Sequence, residues 1–258
     1  MPAAADGDPQ TPGQQAERST TILVEDVHID YRIYSDSHRT LRDVLARKGA
    51  RDFRLVQAVR GIDREVHTRE QIDIIGADGS AKTTLLRAIA GLLPVNKGRV
   101  LVRAEPTLLD VGSDLKYNMS GARNIYVGCP ALGMTREQVD DRFDDMVAFA
   151  GLEDSIDLPR RTNSSGMRAR LSFSIASAVT PEILLIDEAP AVGDRSFREK
   201  ILKRVHQLVD AANTVVMVAH SLGDVRSTCS RAIWLDCGCI QIDGAPDEVI
   251  AAYAGASG

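Results

Sequence analysis

A chain of 258 residues, 44% hydrophobic and 26% charged, has an ordinary globular composition and enough length for a substantial core. A net charge of −5 and an aromatic content of 4% argue against nucleic acid as a ligand and against base-stacking platforms. No apolar run approaches the roughly 18 residues that cross a bilayer, and no signal peptide is visible, so any membrane role calls for a partner subunit.

Residues 1–19 are Ala, Gly, Pro, Gln and Asp without periodicity and are expected to form a disordered tail before a domain over residues 20–258. Thr21 to Tyr31 reads as a strand that opens the domain. The basic segment Arg39 to Lys48 follows, with Leu41, Val44 and Leu45 on one helical face and Arg39, Arg42, Arg47 and Lys48 largely off it. It is either a solvated surface helix or a segment that docks near lipid headgroups or a membrane partner. Val56 to Val66 gives another strand, and a turn over His67 to Glu70 leads into the short apolar run Ile72-Asp73-Ile74-Ile75. Asp73 does not fit a strand buried on both faces.

The chain is organised around the stretch that comes next, Gly76-Ala77-Asp78-Gly79-Ser80-Ala81-Lys82-Thr83-Thr84, with a helical run from Leu85 to Ala90 behind it. Strand, Gly-rich turn, Lys-Thr and helix is the layout of a phosphate-binding loop, G-x-x-x-x-G-K-[ST], with Ala81 in place of the last Gly. Such a turn aims successive backbone N–H groups at one point, where the helix N-terminus adds partial positive charge. Lys82 would reach the β and γ phosphates and the Thr83 hydroxyl would hold Mg²⁺. A Cβ at position 81 costs free energy wherever φ is positive or phosphate comes close, so Ala81→Gly is expected to tighten nucleotide binding or raise turnover. A βα turn packed with small residues would have the same local pattern, so the rest of the chain has to decide.

Gly91 to Pro94 stops the helix and Lys97 to Val100 turns into a strand. Residues from about 113 to 178 read as mainly helical. Thr135 caps one helix with Gln138 three residues on, and Phe143, Met146, Val147 and Ala150 share a face. Ser164, Ser165 and Gly166 open a second helix through Ala178, giving another anion-receptive N-terminus. Ile183 to Ile186 is a continuous apolar strand that ends in Asp187 and Glu188. Acids at the C-terminal end of a parallel strand sit where such sheets bind ligands. Asp187 suits Mg²⁺ and Glu188 suits a water-activating base. Thr214 to Ala219 is a further apolar strand, followed by His220, a candidate sensor of the γ-phosphate. Of Cys129, Cys229, Cys237 and Cys239, the last two form a C-x-C with no second pair or His cluster. They read as reduced thiols around a turn between two short strands.

These pieces, in this order, resemble the ATP-binding subunit of an ABC transporter over about residues 21 to 254. Gly76 to Thr84 resembles Walker A, Ser164-Ser165-Gly166-Met167-Arg168 the signature motif, and Ile183 to Glu188 Walker B with its catalytic Glu. Ala191-Val192-Gly193-Asp194 resembles the D-loop and His220 the switch His. The wording of the signature and Walker B stretches, with Arg-Ala-Ile-Trp-Leu-Asp, is similar to the ATPases of bacterial polysaccharide and teichoic-acid exporters. So are Leu108 to Gly112, Ser120 to Tyr126 and the insertion from Tyr31 to Phe53.

The resemblance implies an α/β, ABC-type P-loop NTPase with a mostly parallel core sheet, a β-rich edge subdomain and a helical signature subdomain over about 113–178. It implies ATP and Mg²⁺ as cofactors, a head-to-tail dimer of identical copies closing over ATP, and an integral membrane permease at the cytoplasmic face of the plasma membrane. Export of a lipid-linked polysaccharide or teichoic-type polymer is the implied task. The departures are Ala81, Asp78 where Asn or Ser is usual, Asn163 in place of an aromatic or Leu, and Arg123 where Glu is usual. Phe53, Tyr31 and Tyr34 are candidates to stack on adenine, with Gln57 a further occupant of that slot. Because of Ala81, a nucleotide-binding but hydrolytically silent regulatory subunit stands as the second reading. A GTPase is disfavoured, since Asn96-Lys97-Gly98-Arg99 lacks the Asp of a guanine motif.

Overall fold

A computed structural model of the chain describes residues 19–34, 53–109, 115–116, 118–158, 164–187, 194–218 and 222–256. In chain order the described elements are β1 (Thr20–Tyr34), β2 (Phe53–His67), β3 (Gln71–Ile75), α1 (Lys82–Ile89), β4 (Lys97–Val102), β5 (Thr107–Leu109), α2 (Gly121–Ala131), α3 (Arg136–Ala150) and α4 (Ser165–Ala176). There follow β6 (Ile183–Asp187), α5 (Arg195–Ala211), β7 (Thr214–Val218), α6 (Leu222–Thr228), β8 (Arg231–Asp236), β9 (Cys239–Gly244) and α7 (Pro246–Ala256). The tail expected before Ser19 and the basic segment Arg39 to Lys48 fall outside the described residues, as do Asn163, Glu188, Ala191 to Gly193 and His220.

Two sheets carry the fold. The larger has the order β5-β6-β7-β3-β8-β9, parallel throughout except for the β8–β9 hairpin at one edge. The smaller is antiparallel, with the order β2-β1-β4. The apolar runs in β6 and β7 are unbroken because parallel strands bury both faces, and β3 departs from this only at Asp73 and its first residue Gln71. Successive side chains of a strand go to opposite sides. Ile183, Leu185, Val216 and Val218 accordingly join a core with α1 and the smaller sheet. Leu184, Ile186 and Val215 join another with Phe197, Ile201, Val205 and Leu208 of α5.

The helical region resolves into α2, α3 and α4 around a third core that includes Ile125, Cys129, Met146, Val147 and Leu171. Thr135 forms the expected capping box with Gln138, and Gly151 ends α3 in the left-handed conformation. Helix α4 stops at Ala176 with Ser177 as its cap, two residues short of the expected Ala178. It serves two cores, with Leu171 and Ile175 facing α2 and α3 and Phe173 facing the sheet. Phe149 of α3 stacks on Phe173 at 5.8 Å and meets Phe197 of α5 edge-on at 5.6 Å. Phe173 is fully buried, and Phe173→Ala would cost about 3–5 kcal/mol.

The structure also accounts for Asp73. It is fully buried in β3 and accepts a hydrogen bond from Thr228 Oγ1 at 3.2 Å, which ties the end of α6 to the central strand. The neighbouring Cys229 thiol is pushed up to about 12 by burial first and by Asp73 second. Cys237 and Gly238 form the turn between β8 and β9, both at positive φ, as the C-x-C reading expects.

Candidate functional site

Strand β3 delivers the chain into the loop at Gly76. A Cβ at this residue would lie 2.1 Å from Leu235 O and 2.7 Å from Ser80 Oγ, and φ there is +153°, so only glycine fits. The loop then folds on itself, with Ser80 N donating to Ala77 O at 3.1 Å. Lys82 Nζ donates to Gly76 O and Ala77 O, each at 2.9 Å, and so braces the turn from inside. Ala81 sits at φ 83°, ψ 20°, in the left-handed region that glycine occupies without strain. The local conformation is thus the one the motif demands, held here by a residue that pays a steric penalty for it.

Four features make the start of α1 receptive to an anion. No side chain caps it, and its first turn carries no acid. The first N–H groups of a helix have no acceptor within it. Ser80 Oγ is buried in the loop without a hydrogen-bond partner among the described residues. The next hydroxyl, Thr83 Oγ1, donates to Asp187 Oδ1 at 2.9 Å, across from the end of β6. Hydroxyl and carboxylate, 104 positions apart in sequence, therefore stand together at the C-terminal edge of the parallel sheet. Such a pair of hard oxygens fits Mg²⁺.

A cleft of about 510 Å³ opens beside the loop, lined by Asp78, Gly79, Ala81, Lys82, Thr83 and Thr84 on one side. Tyr31, Val56 and Gln57 from the β1–β2 pair line the other side, and Tyr31 Oη lies 3.3 Å from Thr84 Oγ1. Of the adenine-slot candidates, Tyr31 and Gln57 are therefore at the site. Phe53 lies under the Arg32 guanidinium instead, at 5.1 Å, and the side chain of Tyr34 falls outside those described. Arg60 and Cys237 also line the cleft, which sequence reading missed. Backbone bonds bring them there. Arg60 N donates to Gly238 O at 3.0 Å and Gly238 N to Ser80 O at 3.3 Å. No motif signals a pairing of two segments so far apart in sequence.

Ser164, Ser165 and Gly166 do not line this cleft. Ser164 caps α4 by accepting from Met167 N at 3.2 Å, and Ser164 and Ser165 are exposed. One turn along, Arg170 Nη2 donates to Asp194 Oδ2 at 2.5 Å while its guanidinium covers the Phe197 ring at 4.9 Å. Asp194 in turn caps α5, accepting from Ser196 Oγ at 2.7 Å and from Phe197 N at 2.9 Å. The Ser196 bond first, the Phe197 N–H next and then Arg170 hold its carboxyl down at about 2. The cap of α5 and helix α4 are thus locked together. Glu188 and His220, the expected base and sensor, lie outside the described residues.

A phosphate loop on β3, a carboxylate at the end of β6, a mostly parallel sheet and a helical insertion define a P-loop nucleotide-binding protein of the ATP-binding cassette type. The chain belongs to the ABC transporter family, whose sequence pattern matches residues 59–191. It is 40% identical over 214 residues to the O-antigen export system ATP-binding protein RfbB of Myxococcus xanthus, covering 83% of this chain and 49% of RfbB. It is 34% identical over 237 residues to the teichoic acids export ATP-binding protein TagH of Levilactobacillus brevis, covering 92% of this chain and 65% of TagH. With the ABC transporter protein AbcA of Aeromonas salmonicida the identity is 35% over 233 residues, 90% of this chain and 75% of AbcA. The chain thus spans about half the length of RfbB and under two thirds of that TagH. Among solved structures, an ATP-binding subunit of an ABC transporter superposes with a TM-score of 0.66 at 16% identity, covering 91% of this chain and 94% of that one. The post-hydrolysis dimer of the ATP-binding cassette MJ0796 with ADP and Pi gives 0.64 at 19%, covering 87% and 98%. The fold class expected from sequence is borne out.

Proposed function

We propose that this chain is the ATP-hydrolysing subunit of an export system that moves a lipid-linked polysaccharide or teichoic-type polymer through a separate membrane subunit. The observation that carries the hydrolytic part is the Thr83–Asp187 contact at 2.9 Å beside the uncapped start of α1. The polymer class is supported by the export systems for which RfbB and TagH are named. No described helix is long and apolar enough to cross a membrane, which agrees with a peripheral subunit at the cytoplasmic face held by its permease.

The residues divide the work as follows. Backbone N–H groups from Gly79 to Thr84 cradle the phosphates, and Tyr31 and Gln57 flank the base. Lys82 exchanges its loop carbonyls for phosphate oxygens. Thr83 and Asp187 would hold Mg²⁺, which would supply charge neutralisation to the phosphates. Glu188 takes the proton of the attacking water and His220 contacts the γ-phosphate. The exposed start of α4 in a second copy supplies Ser164, Ser165 and Gly166 to close the site, its helix N-terminus drawn to phosphate charge. Two such sites form in a head-to-tail dimer, and their closing and opening work the permease.

The deciding experiment is Mg²⁺-dependent ATP turnover of the parent and of Glu188→Gln, with and without membranes containing the partner. The parent is expected to turn over at least about a hundredfold faster, the usual scale for a positioned base. The variant should still bind ATP and accumulate as a dimer on a sizing column. The strained Ala81 favours the second reading, a nucleotide-binding but silent regulatory subunit. A parent no faster than Glu188→Gln, even with partner membranes, would establish that reading instead.

A further inference from the structure

Helices α3 and α5 and the end of α4 enclose a second cleft, of about 630 Å³, that shares no lining residue with the nucleotide cleft. Its volume is in the range of small-ligand sites. Four cations line it, Arg142 from α3 and Lys200, Lys203 and Arg204 from α5, against one lining acid, Asp145. This concentration of positive charge occurs in a chain whose net charge is −5.

Two of the cations are fixed in place. Arg142 Nη1 donates to Ala178 O at 2.5 Å, and Arg204 Nε and Nη2 donate to Ser177 O at 3.2 and 2.5 Å. These bonds use one N–H of Arg142 and two of Arg204, out of the five that each guanidinium carries. Burial, and after it the Arg142 charge, pushes the Arg204 pKa down, so the pair stands in mutual repulsion. Binding the carbonyls of Ser177 and Ala178, just past the end of α4, accounts for the arginines but not for the lysines next to them. Lys200, Lys203 and Arg204 lie at i, i+3 and i+4 on one helix, a spacing at which like charges destabilise it. Among the described residues, neither Lys200 nor Lys203 has an ion-pair partner. Met146 and Phe149 add apolar wall to the same cleft. A walled space with pinned guanidinium groups and unpaired ammonium groups suits a compact, multiply charged anion with oxygen acceptors.

We propose that this cleft binds a small soluble anion of the diphosphate class, held by Lys200, Lys203 and the remaining guanidinium N–H groups of Arg142 and Arg204. An occupant would bridge α3 of the helical region and α5 of the sheet core, and so hold the two together.

The test is calorimetric titration of inorganic pyrophosphate into the full chain without divalent cations, with the phosphate loop saturated by ADP. The parent should show a pyrophosphate site that Lys82→Ala leaves intact. The double variant Lys200→Gln/Lys203→Gln, altered only at exposed positions and checked for folding by circular dichroism, should bind about tenfold more weakly or worse. Pyrophosphate should also raise the thermal midpoint of the ADP-loaded parent more than that of the double variant. Equal affinity in the two proteins, or no site beyond the phosphate loop, overturns the proposal. A second arm uses phosphatidylcholine vesicles doped with phosphatidic acid. Vesicle binding that needs Lys200 and Lys203, with no binding of pyrophosphate, would also overturn it and make the cleft a membrane contact.

Discussion

Helices α1 and α4 both start from small polar residues and glycine, yet α1 leaves its first turn without a side-chain cap while α4 uses Ser164 to hold Met167 N. The start of α1 lies in a cleft beside a lysine and a hydroxyl–carboxylate pair. The start of α4 is on the surface, with Ser164 and Ser165 exposed and no part in that cleft. One is built to receive an anion within its own chain. The other is a finished helix end, capped by its own side chain and open to the surface. In the proposed head-to-tail dimer, two N-termini that read alike in sequence become two halves of one site, contributed by different copies.

The largest expected effect breaks the first half alone. Lys82→Ala should lower turnover by about 10²–10³, the scale for loss of one preorganised charge at a phosphoryl centre. It should weaken ATP binding in the isolated chain as well, measured with a fluorescent nucleotide. The next breaks the second half alone. Ser165→Glu places an anion where the helix N-terminus favours it, so folding is preserved, but it repels phosphate. ATP should bind as in the parent while turnover collapses. Mixing the two inactive proteins in equal amounts should then restore activity, because a mixed dimer carries one intact site. If the two sites act independently, about a quarter of the parent rate returns. No recovery on mixing would place both halves in the same copy.

A smaller effect concerns the joint between α4 and α5. The Asp194 carboxyl is held near 2 against an ordinary 3.8, so its contribution is fully present above about 3.8 and lost as pH falls towards 2. Asp194→Asn keeps a capping side chain but removes the charge next to Arg170. The variant should therefore be the less stable protein at neutral pH, and acid unfolding followed by circular dichroism should be shallower in it between about pH 3.8 and 2, where the two proteins converge. Identical acid profiles would mean that Arg170 and Ser196 do not act on Asp194 in solution.

Local chemistry was legible in the sequence, and distant pairing was not. The loop from Gly76 to Thr84, the strand ending in Asp187 and the Thr135 and Ser164 caps follow from spacing and residue type over fewer than ten positions. The tie from Arg170 to Asp194 spans 24 positions and runs between two helices that each look complete alone. Asp73 looked misplaced because its partner, Thr228, is 155 positions away. Arg60 and Cys237 reach the nucleotide cleft through the backbone of β2 and of the β8–β9 turn, and backbone pairing leaves no mark in side-chain spacing. Helix α4 lost two residues at its end because Ser177 caps the backbone, a choice between helix and cap that composition leaves open.

The smallest expected effect is at the residue that separates this loop from its motif. Ala81 is left-handed in the folded loop, so its strain of about 1–2 kcal/mol burdens folding. Ala81→Gly removes that strain. Against it stand the extra freedom of glycine in the unfolded chain, about 0.4–1 kcal/mol, and the loss of a methyl packed against the core of α1 and the smaller sheet, at most about 0.8 kcal/mol. The terms nearly cancel, so the thermal midpoint should move by no more than about 3 °C. A loop that keeps this conformation carries the same strain with and without ATP, so affinity should change less than about threefold, or under about 0.7 kcal/mol, in place of the tighter binding that the sequence alone suggests. A gain of tenfold or more in ATP affinity would show that the methyl obstructs the phosphates directly. The half-site on α1 would then be impaired for binding as well as strained in folding, and the silent-subunit reading would gain the ground that the Thr83–Asp187 pair now denies it.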